Sequence, residues 1–384
     1  MAPMRQHNIT ALRYYGKEDI RLEQIPSRPC NPNEIRIEVA YCGICGSDIH
    51  EYLDGPIFPP QPGTKNPWTG ESLPVTLGHE MSGVIVELGS AVTDLKVGSK
   101  VAVNPALDDR HYGAEPCTTC SLGKSNICKR FACYGLNADG GGFASEIVVN
   151  AVSCLPLPDS VSLEVGALLE PLAVAWHSIR LSGFGKNQTA LVLGAGPIGL
   201  AIVMLLRFWG AKTIIVSEMT SSRKKMAKKF GADIVVDPSE RNHASADPVR
   251  SAVQDVNPDG VDVAFEAIGI QATLDAAIAS IRPGGTVFNV AIHEKPLHLN
   301  LNDLTFFEKK LIGGICYTTE DFTEVIRALE SGSIPAQEMI TSIVPLEKVV
   351  QMGFLELINN KAAHVKILIQ PPKSSSSILP SARL

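Results

Sequence analysis

The chain has 384 residues, of which 45% are hydrophobic and 19% charged, a composition typical of globular proteins and not of disordered ones. Its length exceeds what one ordinary core accommodates and predicts two domains. The net charge of −6, with no marked basic cluster, argues against nucleic acid as a partner. The apolar runs are too short to span a bilayer, and residues 1–16 lack the apolar core of a signal peptide. We therefore expect a cytoplasmic protein with no membrane partner.

Short β segments separated by glycine and proline fill the chain from Asn8 to Val149. Residues 35–45 and 81–89 alternate in polarity or are rich in β-branched side chains. The close spacing of such segments predicts a small barrel and not a series of βαβ units. The proline-rich stretch 55–74 lacks periodicity, and we predict that it forms a surface loop beside the functional site of the protein.

Helical and strand patterns alternate in the next part of the chain. Helices are predicted at residues 169–183, 199–211 and 221–232. Strands are predicted at residues 189–193, 213–218, 233–237, 261–269, 284–292 and 310–316. This alternation with short connections is typical of a parallel sheet covered on both faces, so the fold class is α/β.

Two domains and a tail follow from these patterns. The first domain is predicted over residues 1–163 and completed by residues 335–372, where 364–370 form a returning strand. The second domain is predicted over residues 164–334. Residues 373–384 are Ser-rich, and we expect a disordered tail there.

A glycine-rich sequence joins the predicted strand at 189–193 to the helix that follows it. The motif alone is weak evidence, but a strand before it and a helix after it are the context of a dinucleotide site. The first glycine makes a tight turn, the second lets the backbone approach a pyrophosphate, and the third lets helix and strand pack closely. Free N–H groups at the helix start would bind the phosphates. The predicted cofactor-binding residues are Gly194, Gly196, Pro197, Ile198 and Gly199.

An acidic residue at the end of the next strand decides the type of cofactor. Glu218 stands nineteen residues after Gly199, where a carboxylate binds the ribose hydroxyls of the adenosine and repels a 2′-phosphate. This favours NAD. Arg223 and the neighbouring lysines, which could bind that phosphate, keep NADP as the alternative.

Three short clusters carry residue types that bind metals. Cys45 lies in the first, His79 and Glu80 form the second, and Glu170 is the third. Each has an ordinary structural explanation, since a cysteine at a strand end often packs as a small hydrophobe and a glutamate suits the first turn of a helix. Together they offer a thiolate, an imidazole and carboxylates, which is a catalytic zinc set with room for an open position.

The strings CGICGSDIH, LGHEMSG, GGFASE, EPLAVAWH and LGAGPIGL resemble the medium-chain dehydrogenase/reductase family over nearly the whole chain except its tail. The resemblance implies a GroES-like β-barrel catalytic domain and a Rossmann doubly wound parallel sheet. It also implies a zinc ion held by Cys45, His79 and a third protein ligand. Liver-type members place a cysteine third, whereas Glu170 stands at that place here, as in the polyol branch. Whether Glu80 binds the metal directly, and Glu170 directly or through water, stays open.

The longer string CGICGSDIHEYLDGPIF is similar to fungal 2,3-butanediol dehydrogenases, a branch of this family. The implied reaction is NAD-linked oxidation of a secondary alcohol or vicinal diol, 2,3-butanediol to acetoin, and its reverse. Ser47 and His50 match the hydroxyl and imidazole of the family's proton relay, and Asp48 would accept the second N–H of the ligating histidine or cap a turn. The alternatives are a sorbitol or other secondary-alcohol dehydrogenase, including one of a biosynthetic pathway, a zinc-free enone reductase on the same fold, and a non-catalytic structural protein.

Cys117, Cys120 and Cys128 resemble the family's structural zinc lobe, which normally has four cysteines. Ala114 stands where the first of them belongs, and three thiolates do not close a tetrahedral site. Either a fourth ligand completes the site, or the lobe is free of metal. The candidates for that ligand are Glu115, His111, Asp108 and Cys133.

The expected partners are a small alcohol or diol and further copies of the chain. Family members are dimers or tetramers, and the resemblance implies subunits joined through strands near residues 284–316. The last three residues, Ala382, Arg383 and Leu384, are similar to a peroxisomal address of the Ser-Lys-Leu type. A peroxisomal location is therefore the alternative to the cytoplasm.

Overall fold

A computed structural model describes residues 7–240 and 247–373. The hypotheses of a disordered tail and of a peroxisomal signal therefore concern residues outside the described part, apart from Lys373. Within that part, no helix is both long enough and apolar enough to cross a membrane.

The described residues form helices and strands that alternate along much of the chain. The strands are β1 Asn8–Gly16, β2 Asp19–Pro26, β3 Glu34–Gly43, β4 Val75–Thr76, β5 Glu80–Leu88, β6 Lys100–Val103, β7 Ala106–Leu107, β8 Ala132–Cys133, β9 Glu146–Asn150, β10 Cys154–Pro156, β11 Thr189–Leu193, β12 Thr213–Ser217, β13 Ile234–Val236, β14 Val261–Glu266, β15 Ile281–Asn289, β16 Lys310–Gly313, β17 Ile340–Pro345 and β18 Lys366–Gln370. The α-helices are α1 Gly46–Asp54, α2 Thr118–Ser121, α3 Leu163–Gly166, α4 Leu169–Ser182, α5 Pro197–Phe208, α6 Ser221–Lys229, α7 Pro248–Val256, α8 Gln271–Ser280, α9 Asn302–Thr305, α10 Thr319–Glu330 and α11 Leu355–Asn359. Short 3₁₀ turns lie between them, and one π-helical turn spans Val350–Phe354.

The chain divides into two compact units, one within Met1–Glu170 and Ala336–Leu384, the other within Pro171–Pro335. The sequence patterns predict divisions after residues 163 and 334. The first division falls instead within α4, so that Leu169 and Glu170 belong to the first unit. Glu170 therefore lies in the same unit as the other candidate metal ligands.

The first unit is built on a seven-stranded, mostly antiparallel sheet in the order β10-β6-β5-β3-β18-β17, with β9 also paired to β3. A three-stranded sheet, β2-β1-β4, completes its β structure together with the β7-β8 pair. The segment predicted as a returning strand contains β18, which lies between β3 and β17. All its residues but the last are buried, which explains its continuous apolar run. Residues 55–74, predicted as a loop, contain no helix or strand.

The second unit is a six-stranded parallel sheet in the order β13-β12-β11-β14-β15-β16. The chain runs outward from β11 in one direction and then from β14 in the other, which confirms the predicted doubly wound sheet. In such folds the crevice beyond the carboxyl ends of the two central strands is the ligand site. All five residues of β11 are buried, as expected for a central strand covered on both faces.

Two predicted helices end earlier than their apolar patterns indicate. The helices predicted at 199–211 and 221–232 end at Phe208 and Lys229. Gly210 and Gly231 follow with φ of 80° and 111°, a left-handed backbone that stops a helix and that glycine adopts without a Cβ penalty.

Candidate metal and cofactor sites

The first candidate site lies where the end of β3 meets the start of β5. The two strands are antiparallel, with Gly43 opposite Glu80. Cys45 follows β3 as the residue that precedes α1, and His79 comes immediately before β5. This pairing brings one ligand atom from each of Cys45, His79 and Glu80 within 4.8 Å of the others. The structure therefore joins three of the predicted ligands.

The imidazole of His79 lies between two side chains of α1. Its Nε2 is 3.3 Å from the Ser47 hydroxyl oxygen, and its Nδ1 is 3.7 Å from Oδ1 of Asp48. Neither Nδ1 nor Oδ1 has a hydrogen-bond partner among the described residues, although both are buried. The other oxygen of Asp48 accepts the Cys45 N–H at 2.9 Å. Asp48 thus caps α1 with one oxygen and faces the histidine with the other, so both roles considered for it have a structural basis.

The electrostatics of this pocket favour bound cations. Burial alone would lower the pKa of His79, but the Asp48 and Cys45 side chains outweigh burial and raise its pKa well above the usual value. Glu170 contributes to the same increase in pKa. A cation placed beside His79 would therefore be stabilised by the surrounding negative charge.

Glu80 takes part in a buried ion pair that the sequence analysis did not foresee. Lys366, at the start of β18, donates to both carboxylate oxygens at 2.7 Å and to the Ile44 carbonyl at 3.1 Å. Burial would lower the pKa of Lys366, but Glu80 and other acidic groups raise it above the usual value. A Cβ atom at Gly43 would lie 2.0 Å from Glu80 Oε2, so a side chain there would displace the carboxylate from the pair. Each carboxylate oxygen retains a second lone pair that a metal can use.

Glu170 lies close to this group but is not one of its three members among the described residues. It occupies the first turn of α4 and is 9% exposed. Its charge adds a smaller increase to the pKa of Lys366 after the larger effects of burial and Glu80. The Glu170 carboxylate therefore acts electrostatically on His79 and Lys366, but it is not one of the three groups whose ligand atoms lie within 4.8 Å of one another.

Ser47 and His50 lie three residues apart on α1, a spacing that puts them on one face of the helix. Ser47 is partly buried beside His79, and His50 is exposed. Cys42, in contrast, is fully buried in the hydrophobic core, where burial raises its pKa well above the usual value. Cys42 therefore packs in the core and is not a member of the candidate metal group.

His177 belongs to another network, in the second unit. Its Nδ1 is 2.7 Å from Asp321 Oδ2, and the same carboxylate accepts from Arg180 Nε at 2.8 Å. Asp321 also receives hydrogen bonds from Thr318 at the start of α10. Burial would raise the pKa of Asp321, but the bonds from His177 and Arg180 outweigh it and hold the pKa well below its usual range. His177 is therefore a helix residue whose ring is bound within the second unit.

The glycine-rich turn after β11 has the geometry of a phosphate-binding loop. Gly194 has φ +98°, which a side chain would strain. A Cβ on Gly199 would lie 1.9 Å from the Gly194 carbonyl oxygen, whereas a Cβ on Gly196 would meet no described atom within 4 Å. The third glycine is thus required for packing, and the second borders open space. Pro197 and Ile198, both partly exposed, open α5.

The start of α5 has free N–H groups for an anion. Its first residue follows Gly196, and no described side chain caps the helix there. Unsatisfied N–H groups and the positive end of the helix dipole are what a pyrophosphate binds. The residues present therefore fit a dinucleotide.

Glu218 comes directly after β12 and reaches the glycine-rich turn. Its Oε2 accepts the Ala195 N–H at 2.9 Å, and its Oε1 accepts the Thr220 N–H at 2.8 Å. These bonds hold the carboxylate at the carboxyl end of the central strands, where an adenosine ribose binds in folds of this kind. Arg223 lies in the first turn of α6, the helix that follows, and is partly buried.

The second cysteine group has a fourth member that the sequence analysis missed. One atom each of Asp109, Cys117, Cys120 and Cys128 lies within 4.8 Å of the others. Asp109 begins a 3₁₀ turn, Asp109–Tyr112, and its pKa is held well below the usual range by the Cys117 N–H and other donors. A signal was present in the sequence, since Asp109 is an acid within the same loop, but nothing local distinguished it from its neighbours.

The four candidates named for the fourth ligand are not members of this group of described residues. Asp108 is bound to Arg110 through both carboxylate oxygens, and His111 Nε2 lies 2.8 Å from the Ser153 hydroxyl. The Cys133 thiol donates to the Tyr134 carbonyl. Glu115 is exposed.

Two family models match the chain. "Alcohol dehydrogenase GroES-like domain" covers residues 31–159, and "Zinc-binding dehydrogenase" covers residues 197–331. The (R,R)-butanediol dehydrogenase of Saccharomyces cerevisiae is 40% identical over 94% of this chain and 98% of its own. The probable D-xylulose reductase A of Emericella nidulans is 33% identical over 89% of this chain and 90% of its own. The crystal structure of 2R,3R-butanediol dehydrogenase from Bacillus subtilis superposes with a TM-score of 0.86 at 37% identity, covering 95% of this chain and 100% of that one.

Proposed function

Because the chain belongs to the zinc-dependent medium-chain dehydrogenase/reductase family, we propose that it oxidises 2,3-butanediol to acetoin with NAD and catalyses the reverse reduction. The observation that carries the proposal is the group of Cys45, His79 and Glu80 within 4.8 Å of one another. Butanediol dehydrogenases at 38–40% identity over 94% of the chain support the choice of substrate.

We propose that Cys45, His79 and Glu80 hold the catalytic zinc. A thiolate, an imidazole and a carboxylate are a donor set for catalytic zinc, which keeps a fourth position open. The unpartnered Nδ1 of His79 faces the unpartnered Oδ1 of Asp48, both within the described residues, and a hydrogen bond between them would leave Nε2 free for a metal. Lys366 orients Glu80, and Glu170 adds negative charge nearby.

Zinc in this site would act as a Lewis acid that lowers the pKa of the substrate hydroxyl, and NAD would accept the hydride. Ser47, whose hydroxyl lies beside the His79 Nε2, would receive the hydroxyl proton of the substrate. His50, on the same face of α1 and exposed, passes that proton to water, because an imidazole can both accept and donate a proton. Asp48 holds the imidazole of His79 in the required orientation.

We propose NAD rather than NADP as the cofactor. The Glu218 carboxylate, fixed by two backbone N–H groups, would bind the ribose hydroxyls and repel a 2′-phosphate. Glu218→Ala should therefore lower kcat/KM for NAD more than kcat/KM for NADP. If the ratio of the two kcat/KM values stays unchanged, Glu218 does not select the cofactor.

A polyol such as xylitol is the second candidate substrate, favoured by the similarity to a D-xylulose reductase. The chemistry of the site is the same, because both substrates present a secondary hydroxyl beside another hydroxyl. Relative kcat/KM for 2,3-butanediol, xylitol and sorbitol decides between them.

The decisive experiment follows NADH formation by the purified protein with (2R,3R)-butanediol before chelation, after it, and after zinc is returned. Activity should be lost when zinc is removed and should recover when zinc is returned. The Cys45→Ala variant should be inactive. Cys30→Ala is the matched control, since Cys30 is also partly buried but lies in neither cysteine group. Activity that survives complete zinc loss would overturn the mechanism. Activity on xylitol alone would change the substrate assigned to the protein and leave the proposed mechanism intact.

We propose that the protein is a homo-oligomer joined through β16. This strand lies at one edge of the six-stranded sheet, pairing on its other side with no strand of the described residues. Leu311 in β16 is partly exposed, and Ile315 just beyond it is 49% exposed. An edge strand with exposed apolar side chains favours pairing with a second copy. Light scattering should give a dimer or tetramer, and Leu311→Lys should shift it toward the monomer. A wild-type monomer at micromolar concentration contradicts the proposal.

A further inference from the structure

The lobe that contains Cys117, Cys120 and Cys128 has its own potential metal site, separate from the proposed catalytic group. Cys117 precedes α2, Cys120 lies within it, and Cys128 follows the 3₁₀ turn Ser125–Ile127. Asp109 comes from an earlier turn of the same lobe. The family resemblance implies a structural zinc in this lobe, and Ala114 leaves that ion one ligand short. We propose that the Asp109 carboxylate supplies the fourth ligand in this chain.

The spacing of the sulfur atoms supports a metal. The Sγ atoms of Cys117 and Cys128 are 3.8 Å apart. Two ligands of a tetrahedral zinc with Zn–S bonds of about 2.3 Å are separated by about 3.8 Å. A disulfide would need about 2.05 Å, and all nine cysteines are free. The thiols are therefore at the separation that a shared ion requires.

The Asp109 carboxylate is held as a fixed ligand would be. The side chain is 2% exposed, its Oδ2 accepts the Cys117 N–H at 2.7 Å, and its Oδ1 accepts from Arg130. Each oxygen keeps another lone pair for a metal. Hydrogen bonds to the outer lone pairs of a ligating carboxylate are what orient it toward the ion.

Arg130 and the backbone around it stabilise negative charge in the group. Besides binding Asp109, Arg130 donates its backbone N–H to the Cys128 Sγ at 3.3 Å. Three thiolates and a carboxylate exceed the charge of one Zn²⁺, so an adjacent guanidinium offsets part of the remainder. The arrangement closes a four-ligand site although Ala114 offers no ligand.

A metal-free lobe is the rival explanation, in which the thiols donate hydrogen bonds to Asp109. Zinc content per chain separates the two possibilities. We expect two zinc ions in the purified wild-type protein and one in Asp109→Ala, with Asp109→Cys restoring two. Asp108→Ala is the matched control, because Asp108 is the neighbouring acid and is bound to Arg110; it should keep two ions. One zinc per wild-type chain, or two in Asp109→Ala, would overturn the inference.

X-ray absorption at the zinc edge tests the ligand without relying on the Asp109 variants. In Cys45→Ala, which removes the proposed catalytic zinc, the remaining ion should have three sulfur neighbours and one oxygen neighbour. A shell with two sulfur atoms, or no remaining zinc, would refute Asp109 as the fourth ligand. Activity with butanediol is a separate readout, so a wild-type enzyme with one zinc that stays active would refute this inference and leave the proposed function intact.

Discussion

The buried pair of Lys366 and Glu80 leads to the most specific prediction about stability. Both side chains are almost inaccessible, with 2% and 0% of their surface exposed, and the two charged groups are 2.7 Å apart. At that distance the attraction is about 6 kcal/mol with an effective dielectric constant of about 20. Part of this is offset by the cost of burying both charges, and removing one partner of such a pair typically costs about 3–5 kcal/mol. We therefore expect Lys366→Met to destabilise the first unit by about 3–5 kcal/mol.

The pH range of the measurement follows from the direction of the lysine shift. Because the pKa of Lys366 is raised in the folded chain, its contribution is fully present below the unfolded pKa of about 10.4. The contribution is lost only as the pH rises through the folded pKa. Measurements at pH 7 to 8 therefore report the intact pair.

Hydrogen exchange of peptides from β3, β5 and β18 measures the opening of this unit separately from the other one. The protein is studied without zinc, so that loss of a metal does not contribute. A cost of about 3–5 kcal/mol corresponds to exchange about 10² to 10⁴ times faster in Lys366→Met. Peptides from β11 and β12, in the second unit, are the internal control.

A double variant distinguishes the ion pair from general damage to packing. Glu80→Gln in the Lys366→Met background removes the uncompensated carboxylate, so the double variant should be more stable than Lys366→Met alone. The reasoning would be refuted if the stability losses of Lys366→Met and Glu80→Gln simply added in the double variant. A loss of stability below about 1 kcal/mol in Lys366→Met would refute it as well.

Three further predictions concern the relay, the cofactor loop and the His177 network. Ser47→Ala should lower kcat for diol oxidation by about 10²- to 10⁴-fold, and an unchanged kcat would remove Ser47 from the relay. Gly199→Ala should lower the melting temperature, because its Cβ would lie 1.9 Å from a carbonyl oxygen of the turn. Gly196→Ala should leave the melting temperature unchanged but weaken the binding of NAD by about tenfold or more in a fluorescence titration, because N–H contacts to a charged group are each worth about 1.5–3 kcal/mol. Equal effects of the two alanine substitutions on stability and on NAD binding would contradict these separate roles of the two glycines. Asp321→Asn should lower the free energy of unfolding by about 3 kcal/mol at pH 7. Since the folded pKa of Asp321 is lowered, its contribution is fully present above the unfolded pKa of about 3.9 and is lost as the pH falls from there through the folded pKa. The urea midpoints of variant and wild type should therefore approach each other as the pH is lowered below about 4.

Features encoded by neighbouring residues could be predicted from the sequence. The strand, glycine-rich turn and helix around Gly194 depend on backbone geometry within a few residues, and the parallel sheet follows from alternating apolar periods. Cys45 and His79 belong to short motifs of recognisable composition, and the structure places their side chains in one group. Local pattern was therefore enough for the fold class, the dinucleotide loop and most of the candidate zinc ligands.

Only the tertiary structure decided which distant groups share a site. Lys366 is separated from Glu80 by 286 positions and reaches it because β18 inserts beside β3. From the sequence, a lysine at the start of an apolar strand is simply a strand-end charge. Asp109, rather than its neighbour Asp108, joins Cys117 because a 3₁₀ turn directs the two carboxylates to different partners. Strand register and loop closure depend on packing across the whole unit, so no short segment contains the information that pairs these residues.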